Sequence, residues 1–233
     1  MTINDTTTVA EIVAAMPASA RVFQQHGVDF CCGGKRPLAT VCRERGLSFP
    51  ELVGEIESAT DANADLRDWS REPLSALIDH IISTYHDTLR RELPRLRALA
   101  TKVERAHGAH APRLARLKEI VSELSTDLLE HMQKEELVLF PAIRSNERGT
   151  MRQSLRGPIR MMEHDHLRAG SLLDQSREIT GNFTPPEWAC GSVHALYGGL
   201  AELDAAMRIH VHLENNILFP RAERIVATTH AQL

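Results

Sequence analysis

The strongest constraint on the fold of this chain is an internal repeat of two long, apolar-patterned segments. In each, inward-facing positions recur at alternating steps of four and three, the spacing of the interior face of a bundled helix. The first series is Leu117, Val121, Leu124, Leu128, His131, Glu135 and Val138. The second is Leu196, Leu200, Leu203, Met207, His210, Glu214 and Ile217. Every member of the second series follows its counterpart in the first at the same interval along the chain. Both series run on into Leu-Phe-Pro. The repeat predicts two matching helices with His and Glu on their buried faces.

Two further helices repeat in the same way. Ile82, His86, Leu89 and Leu93 share one helix face, and their counterparts, at nearly the same interval along the chain, are Met162, His166, Ala169 and Leu173. Breaks at residues 107–112, 147–158 and 181–186 are short, so successive helices should be antiparallel neighbours, with Pro112 and Pro186 beginning the second and fourth. We therefore predict an all-α protein whose main domain is an up-down four-helix bundle.

The chain divides into three parts. Residues 1–58 carry short apolar patterns broken by prolines and glycines, which predicts a small N-terminal helical domain. Residues 59–73 are polar apart from Trp69 and should form a linker. Residues 74–228 should form the bundle.

The repeated His and Glu residues predict a metal site. A spacing of four positions stacks His131 over Glu135, and His210 over Glu214, on the face packed against the other helices. Buried carboxylates need a compensating positive charge, which bound metal supplies. His and Glu without Cys favour iron, manganese or zinc, and the two-fold doubling suggests two ions. The pattern is similar to the hemerythrin-like bundles.

The predicted ligands divide by symmetry. If Glu135 and Glu214 both bridge, each metal receives two of the four histidines, which leaves room for an oxo or hydroxo bridge. The six predicted ligands are His86, His131, Glu135, His166, His210 and Glu214. Any one of the histidines alone would more readily be interpreted as a hydrogen-bonded core residue.

Neighbouring residues serve as comparisons for these ligands. His164 and His212 lie two positions from His166 and His210, so they should face away from the site. Asp127, four positions before His131, is the first candidate for a residue that supports a ligand or lines an access channel, and Asp165 is the second. Either could instead be a solvated surface charge.

The N-terminal domain carries a second candidate site. Cys31 and Cys32 lie at a glycine turn followed by Lys35 and Arg36, whose positive charge should favour thiolate. A direct disulfide between adjacent cysteines is strained, so transient redox chemistry or metal transfer is the functional interpretation. Packed cysteines in a small domain are the alternative. Two further residues, Cys42 and Cys190, have no partner in sequence and should be free and buried.

Composition restricts the partners and the compartment. A net charge of −4 with interspersed signs provides no basic stripe, so nucleic acid is not an expected partner. We expect no signal peptide, no membrane span and a reducing, cytoplasmic location. The sequence leaves homo-oligomerisation open.

Taken together, these segments make the chain resemble the iron-sulfur cluster repair di-iron proteins, the RIC or YtfE/ScdA-like family, over nearly its whole length. The matching segments are Asp29-Phe30-Cys31-Cys32-Gly33-Gly34-Lys35, Tyr85-His86-Asp87, His131-x-x-x-Glu135, His166 and His210-x-x-x-Glu214-Asn215-Asn216. The resemblance implies two non-haem irons and a role in restoring iron-sulfur clusters damaged by oxidative or nitrosative stress, by iron donation. It also implies nitric oxide chemistry at the di-iron centre, and damaged iron-sulfur proteins or their assembly machinery as partners.

Two other functions use the same bundle. One is a hemerythrin-like carrier or sensor of oxygen or nitric oxide, which gives the cysteines no task. The other is a nitric oxide or peroxide reductase, and whether the chain is a turnover enzyme stays open. A repair factor that donates iron is the interpretation favoured by the resemblance.

Overall fold

The computed structural model describes residues 1–59, 69–151 and 153–230, with side chains described as far as residue 225. Four short helices form the N-terminal domain: α1 (Val9–Ala15), α2 (Ser19–Gln25), α3 (Leu38–Arg45) and α4 (Phe49–Ser58). Thr8 and Glu11 form a reciprocal capping box that fixes the start of α1. Gly46 ends α3 in the left-handed conformation that glycine adopts without steric cost.

Four long helical segments form a bundle, and π-helical turns interrupt three of them. The first is α5 (Leu74–Ile81), π1 (Ile82–His86) and α6 (Asp87–His107). The second is α7 (Arg113–Lys134), π2 (Glu135–Leu139) and α8 (Phe140–Glu147). The third is the uninterrupted α9 (Arg156–Thr180), and the fourth is α10 (Gly191–His212), π3 (Leu213–Leu218) and α11 (Phe219–His230). The predicted all-α bundle is confirmed. Within the described parts of the chain, no helix combines the length and the apolar character needed to cross a membrane.

Two details of the sequence prediction were wrong. The fourth helix begins at Gly191 rather than Pro186, whose carbonyl instead closes a turn with the amide of Ala189. Val138, predicted to lie on the interior face, is 58% exposed, and Leu139 is buried in its place. The wider turn of π2 adds a residue to the helix there, and a pattern built on 3.6 residues per turn then points to the wrong neighbour.

The N-terminal domain and the bundle share apolar core. Phe23 and Phe30 belong to the same cluster of buried side chains as Leu203 and Met207 of α10. At the other end of the predicted linker, the Arg221 guanidinium donates to the carbonyl oxygens of Trp69 and Glu72, each at 2.6 Å. The rest of that linker, residues 60–68, lies outside the described residues. The shared core fixes where the cysteine turn meets the bundle.

Candidate metal centre

The six predicted ligands converge inside the bundle. Their side chains come from π1, the junction of α7 with π2, α9, and the junction of α10 with π3. None is more than 2% exposed: His86, His131, Glu135, His166, His210 and Glu214. Their donor atoms form two groups, each with all its atoms within 4.8 Å of one another. One group is His86, Glu135, His210 and Glu214, and the other is His131, Glu135, His166 and Glu214. Both glutamates therefore belong to both groups.

Only some of the donor atoms are satisfied within the site: His210 Nε2 lies 3.1 Å from Glu214 Oε1, and His166 Nε2 lies 3.1 Å from His131 Nε2. Both carboxylate oxygens of Glu135, Oε2 of Glu214 and Nε2 of His86 are buried and make no hydrogen bond within the described residues. The nearest imidazole nitrogens lie 3.1 to 3.4 Å from these oxygens without hydrogen-bond geometry. Buried polar atoms are rarely left in this state. Since His and Glu donors converge here with free lone pairs, the residues fit a pair of divalent cations.

Charge balance in the protein itself comes from the histidines. Burial raises the pKa of Glu135, but His131 and His86 outweigh it and hold that pKa below its ordinary value. Burial likewise acts on Glu214, yet His210 and His166 hold its pKa well below the usual range. Burial alone would lower the pKa of His131, but Glu135 raises it to about 9. Without metal, both carboxylates are therefore held as anions, and His131 carries a proton at neutral pH.

Acceptors behind the histidines orient three of the four rings. His86 Nδ1 donates to Glu136 Oε1 at 2.6 Å, and His166 Nδ1 donates to Asn215 Oδ1 at 2.9 Å. These two acceptors occupy equivalent positions in the repeat, since each directly follows one of the two repeated glutamates. The repeat therefore indicated both acceptors, and the sequence interpretation missed them. The third acceptor, Asp165, lies behind His131. In the neutral form of each ring, Nδ1 carries the proton and the Nε2 lone pair is directed at the site.

The two predicted supporting carboxylates have different surroundings. Asp165 Oδ2 lies 3.4 Å from His131 Nδ1 and accepts from Lys134 at 2.9 Å. Asp127 instead pairs with Arg168, whose Nε lies 3.0 Å away. The sequence ranking of Asp127 above Asp165 as a partner of a ligand was therefore wrong. Position 127 lies one helical turn before His131, but its side chain is drawn outward to a cation on α9.

Aromatic rings pack against the donor histidines. Phe140 stacks on His86 with ring centroids 5.8 Å apart, and its repeat counterpart Phe219 stacks on His166 at 6.2 Å. Tyr85 stacks on His210 at 5.0 Å. The phenylalanines of the two Leu-Phe-Pro segments thus form apolar walls that limit the access of water to the site.

The cysteine turn is held by Asp29. Its Oδ1 accepts from the amides of Cys31 and Cys32, both at 3.0 Å, and its Oδ2 accepts from the amide of Gly33 at 2.8 Å. The neighbouring Cys32 thiol, burial and the Asp29 carboxylate hold the pKa of Cys31 well above its usual range.

The expected activation of Cys31 by nearby cations was therefore wrong. Lys35 Nζ lies 3.5 Å from Glu163, and Arg36 pairs with Glu44, so each charge is engaged elsewhere. Cys31 is buried, whereas Cys32 is partly exposed. Both line a cavity of about 610 Å³ that also reaches His166.

The cysteine turn docks on the bundle next to the donor groups. Asn216 Nδ2 donates to the carbonyl oxygens of Phe30 at 3.3 Å and Cys31 at 3.0 Å. His212 is buried against Phe30, with ring centroids 5.9 Å apart, and burial lowers its pKa to about 4. His164 is exposed. As expected, neither His164 nor His212 joins the donor groups, but no pattern in the sequence indicated that His212 forms the domain contact.

The remaining cysteines differ from each other. Cys42 is buried, as predicted. Cys190 is exposed, so the prediction of a buried residue was wrong. It directly precedes α10 on the surface, and its Sγ lies 3.2 Å from Nε2 of His107. The His107 imidazole and the amides of Val193 and Ser192 lower the pKa of Cys190 to about 7.

Comparisons with known proteins cover both parts of the chain. Residues 77–222 match the family model described as the Hemerythrin HHE cation binding domain, and residues 5–60 match a model described as a domain of unknown function (DUF542). Two relatives carry the name "Iron-sulfur cluster repair protein YtfE", one from Yersinia pestis (strain Pestoides F) and one from Yersinia pseudotuberculosis serotype O:1b (strain IP 31758). Each is 41% identical to this chain over 213 residues, which is 91% of this chain and 95% of the relative.

Proposed function

Since this chain belongs to the family of YtfE iron-sulfur cluster repair proteins, with a hemerythrin HHE cation binding domain, we propose that it repairs damaged iron-sulfur clusters by donating iron. The damage in question is oxidative or nitrosative. The partners in this proposal are iron-sulfur proteins that have lost iron, or the machinery that assembles their clusters.

The single observation that supports this function best is the pair of donor groups sharing Glu135 and Glu214. In our proposal both carboxylates bridge two iron ions. His86 and His210 complete one ion's protein ligands, and His131 and His166 complete the other's. Two imidazoles and two carboxylate oxygens per ion leave coordination positions open, as an ion that must be released requires. An additional oxo or hydroxo bridge stays a prediction.

The protein's own residues prepare the site for this task. Glu136, Asp165 and Asn215 hold three of the imidazoles with Nε2 directed inward. Phe140 and Phe219 restrict water at the ring faces. When bound, the two irons would supply releasable metal and one-electron redox chemistry. Nitric oxide chemistry at the centre and the cytoplasmic location stay predictions, and the oligomeric state stays open.

Cys31 and Cys32 have a place in this proposal because they line the same cavity as His166. We assign them the hand-over of iron or electrons to the client. The partly exposed Cys32 is the thiol that a client can reach first. A carrier or sensor of oxygen or nitric oxide would need the bundle but not this turn. The division into an N-terminal domain (residues 1–58), a linker (59–73) and a bundle (74–228) belongs to the same proposal. In it, the N-terminal domain hands over iron or electrons and the bundle holds the iron.

Transfer of labelled iron from the loaded protein to an apo iron-sulfur protein tests this function. Under anaerobic reducing conditions, we expect label in the acceptor and recovery of its cluster spectrum. The double variant Cys31→Ser, Cys32→Ser should slow the transfer while still binding iron. The variant His164→Ala, which changes an exposed histidine of α9, is the control and should transfer like the parent.

Two results would count against donation. One is label that stays with the loaded protein while the acceptor remains apo. The other is steady turnover of nitric oxide or peroxide with an electron donor, at a rate unaffected by loss of both cysteines, which would identify a reductase instead.

A further inference from the structure

Two adjacent asparagines in π3 face opposite partners. Asn215 accepts from Nδ1 of His166 at 2.9 Å, in the interior of the bundle. Asn216 donates to the carbonyl oxygens of Phe30 and Cys31, in the N-terminal domain. Glu214, which belongs to both donor groups, directly precedes them. Three consecutive residues of one π-helical turn therefore touch the metal centre, a histidine ligand and the cysteine turn.

The cysteine turn is held together by contacts within the N-terminal domain. Asp29 holds the amides of Cys31, Cys32 and Gly33 at once. Gly34 is packed so closely that a Cβ there would collide with the carbonyl oxygen of Phe30 and crowd Ala10. A turn this constrained does not adjust residue by residue. Loss of its contacts with Asn216 would therefore weaken the docking of the whole turn, which His212 and the buried Phe30 ring also hold against the bundle.

The π3 segment, which carries Asn216, also depends on the metal site. The π3 segment makes wide-turn hydrogen bonds, a geometry uncommon except as short insertions at functional sites. Metal bound by Glu214 and His166 would hold this segment, and with it Asn216, in the arrangement that receives the turn. The free energies of metal binding and of turn docking must then be linked, and such linkage is reciprocal.

We propose that Asn215 and Asn216 are positioning residues that couple iron binding to docking of the Cys31–Cys32 turn. Iron in the centre favours the docked turn and shields its thiols. Engagement of the thiols by a client releases the turn and lowers the affinity of the centre for iron by the same factor. The inference rests on the proposed metal site and adds to it the event that triggers iron release.

Alkylation of Cys31 and Cys32 by iodoacetamide, followed by peptide mass spectrometry, tests this coupling. In the parent protein, loading with Fe(II) under anaerobic conditions should slow alkylation by at least about fivefold relative to the metal-free form. In Asn216→Ala and in the similarly sized Asn216→Leu, loading should change the rate by less than about twofold. Asn146→Ala is the matched control, since Asn146 also donates from a partly shielded amide to a loop carbonyl, that of Gln153.

Bound iron is counted in every sample, which separates this inference from the proposed function. If the parent takes up no iron, the metal site itself fails. If both Asn216 variants bind iron and keep the parent's protection, the coupling is refuted while the metal site stands. The reciprocal measurement should agree in direction: protein already alkylated at both cysteines should bind Fe(II) more weakly than the unmodified protein.

Discussion

Replacement of Glu214 by alanine should reduce the iron bound after anaerobic reconstitution from two ions per chain to fewer than one. Glu214 belongs to both donor groups, so its loss removes a ligand from both ions and leaves His166 and His210 without their carboxylate partner. Residues that only support a ligand typically change metal affinity by about 10- to 100-fold. We therefore expect the loss of a shared ligand to exceed about 100-fold, measured by competition with a chelator of known affinity.

Three further variants serve as comparisons for this prediction. Glu135→Ala should behave like Glu214→Ala, because Glu135 is the other shared residue. His86→Ala affects one donor group only and should retain one ion. His164→Ala, on the exposed face of α9, should bind as much iron as the parent. Two tightly bound irons in Glu214→Ala would show that the carboxylate is not shared.

The metal-free protein should lose stability as the pH rises from 6.5 to 9. The folded state holds the pKa of His131 at about 9, against an ordinary value of 6.5, because Glu135 outweighs the effect of burial. The protonated ring therefore stabilises the fold fully below pH 6.5, and this contribution is lost as the pH passes through 9. For His131 alone the loss is at most on the order of 3 kcal/mol.

Glu135 and Glu214 have the opposite effect at acid pH, where the stability of the metal-free protein decreases as the pH falls. Because the folded state holds the pKa of Glu135 and Glu214 below their ordinary value, their contribution is present above that value and is lost on acidification. Burial of neutral His212 also costs stability below pH 6.5, so the metal-free protein should be most stable near pH 6.5. Bound metal requires neutral imidazole, so the metal-loaded protein should not lose stability above pH 6.5. For the same reason, the affinity for metal should increase as the pH rises.

Urea unfolding of the metal-free protein at pH 6 and pH 9 measures this effect. The variant Glu135→Gln should reduce the difference between the two values, since it removes the charge that raises the pKa of His131. His164→Ala should leave the difference unchanged. A free energy of unfolding that stays constant or increases between pH 6.5 and 9 would contradict the assigned charges.

The sequence repeat carried most of the information about the metal centre. Comparison of equivalent positions in its two halves selects His166 over His164 and His210 over His212, because each selected residue has a counterpart on an equivalent helix face. The same comparison, extended by one position, pairs Glu136 with Asn215, the acceptors behind His86 and His166. Local periodicity and a duplicated bundle thus predict a site whose residues lie far apart in sequence.

What the repeat could not predict lies where the two halves differ. Asn216 and His212 contact Phe30 of the N-terminal domain, and the repeat counterparts of both, Leu137 and Gln133, lie on a helix segment that receives no such domain. Exposure of Val138 depends on the widened turn of π2, which a 3.6-residue pattern does not describe. The high pKa of Cys31 depends on the neighbouring Cys32 thiol, on burial and on the Asp29 carboxylate, while Lys35 and Arg36 pair with Glu163 and Glu44. The domain contacts, the widened turn and the burial of Cys31 are tertiary features without a local sequence signal.

The most direct test of the central claim is the number and kind of metal ions in the parent protein after anaerobic reconstitution with Fe(II). Elemental analysis with Mössbauer spectroscopy gives both the count and the coupling between ions. We predict two irons per chain, magnetically coupled through shared ligands. One zinc per chain, a single isolated iron, or no bound metal would contradict the two-iron centre on which the repair function rests.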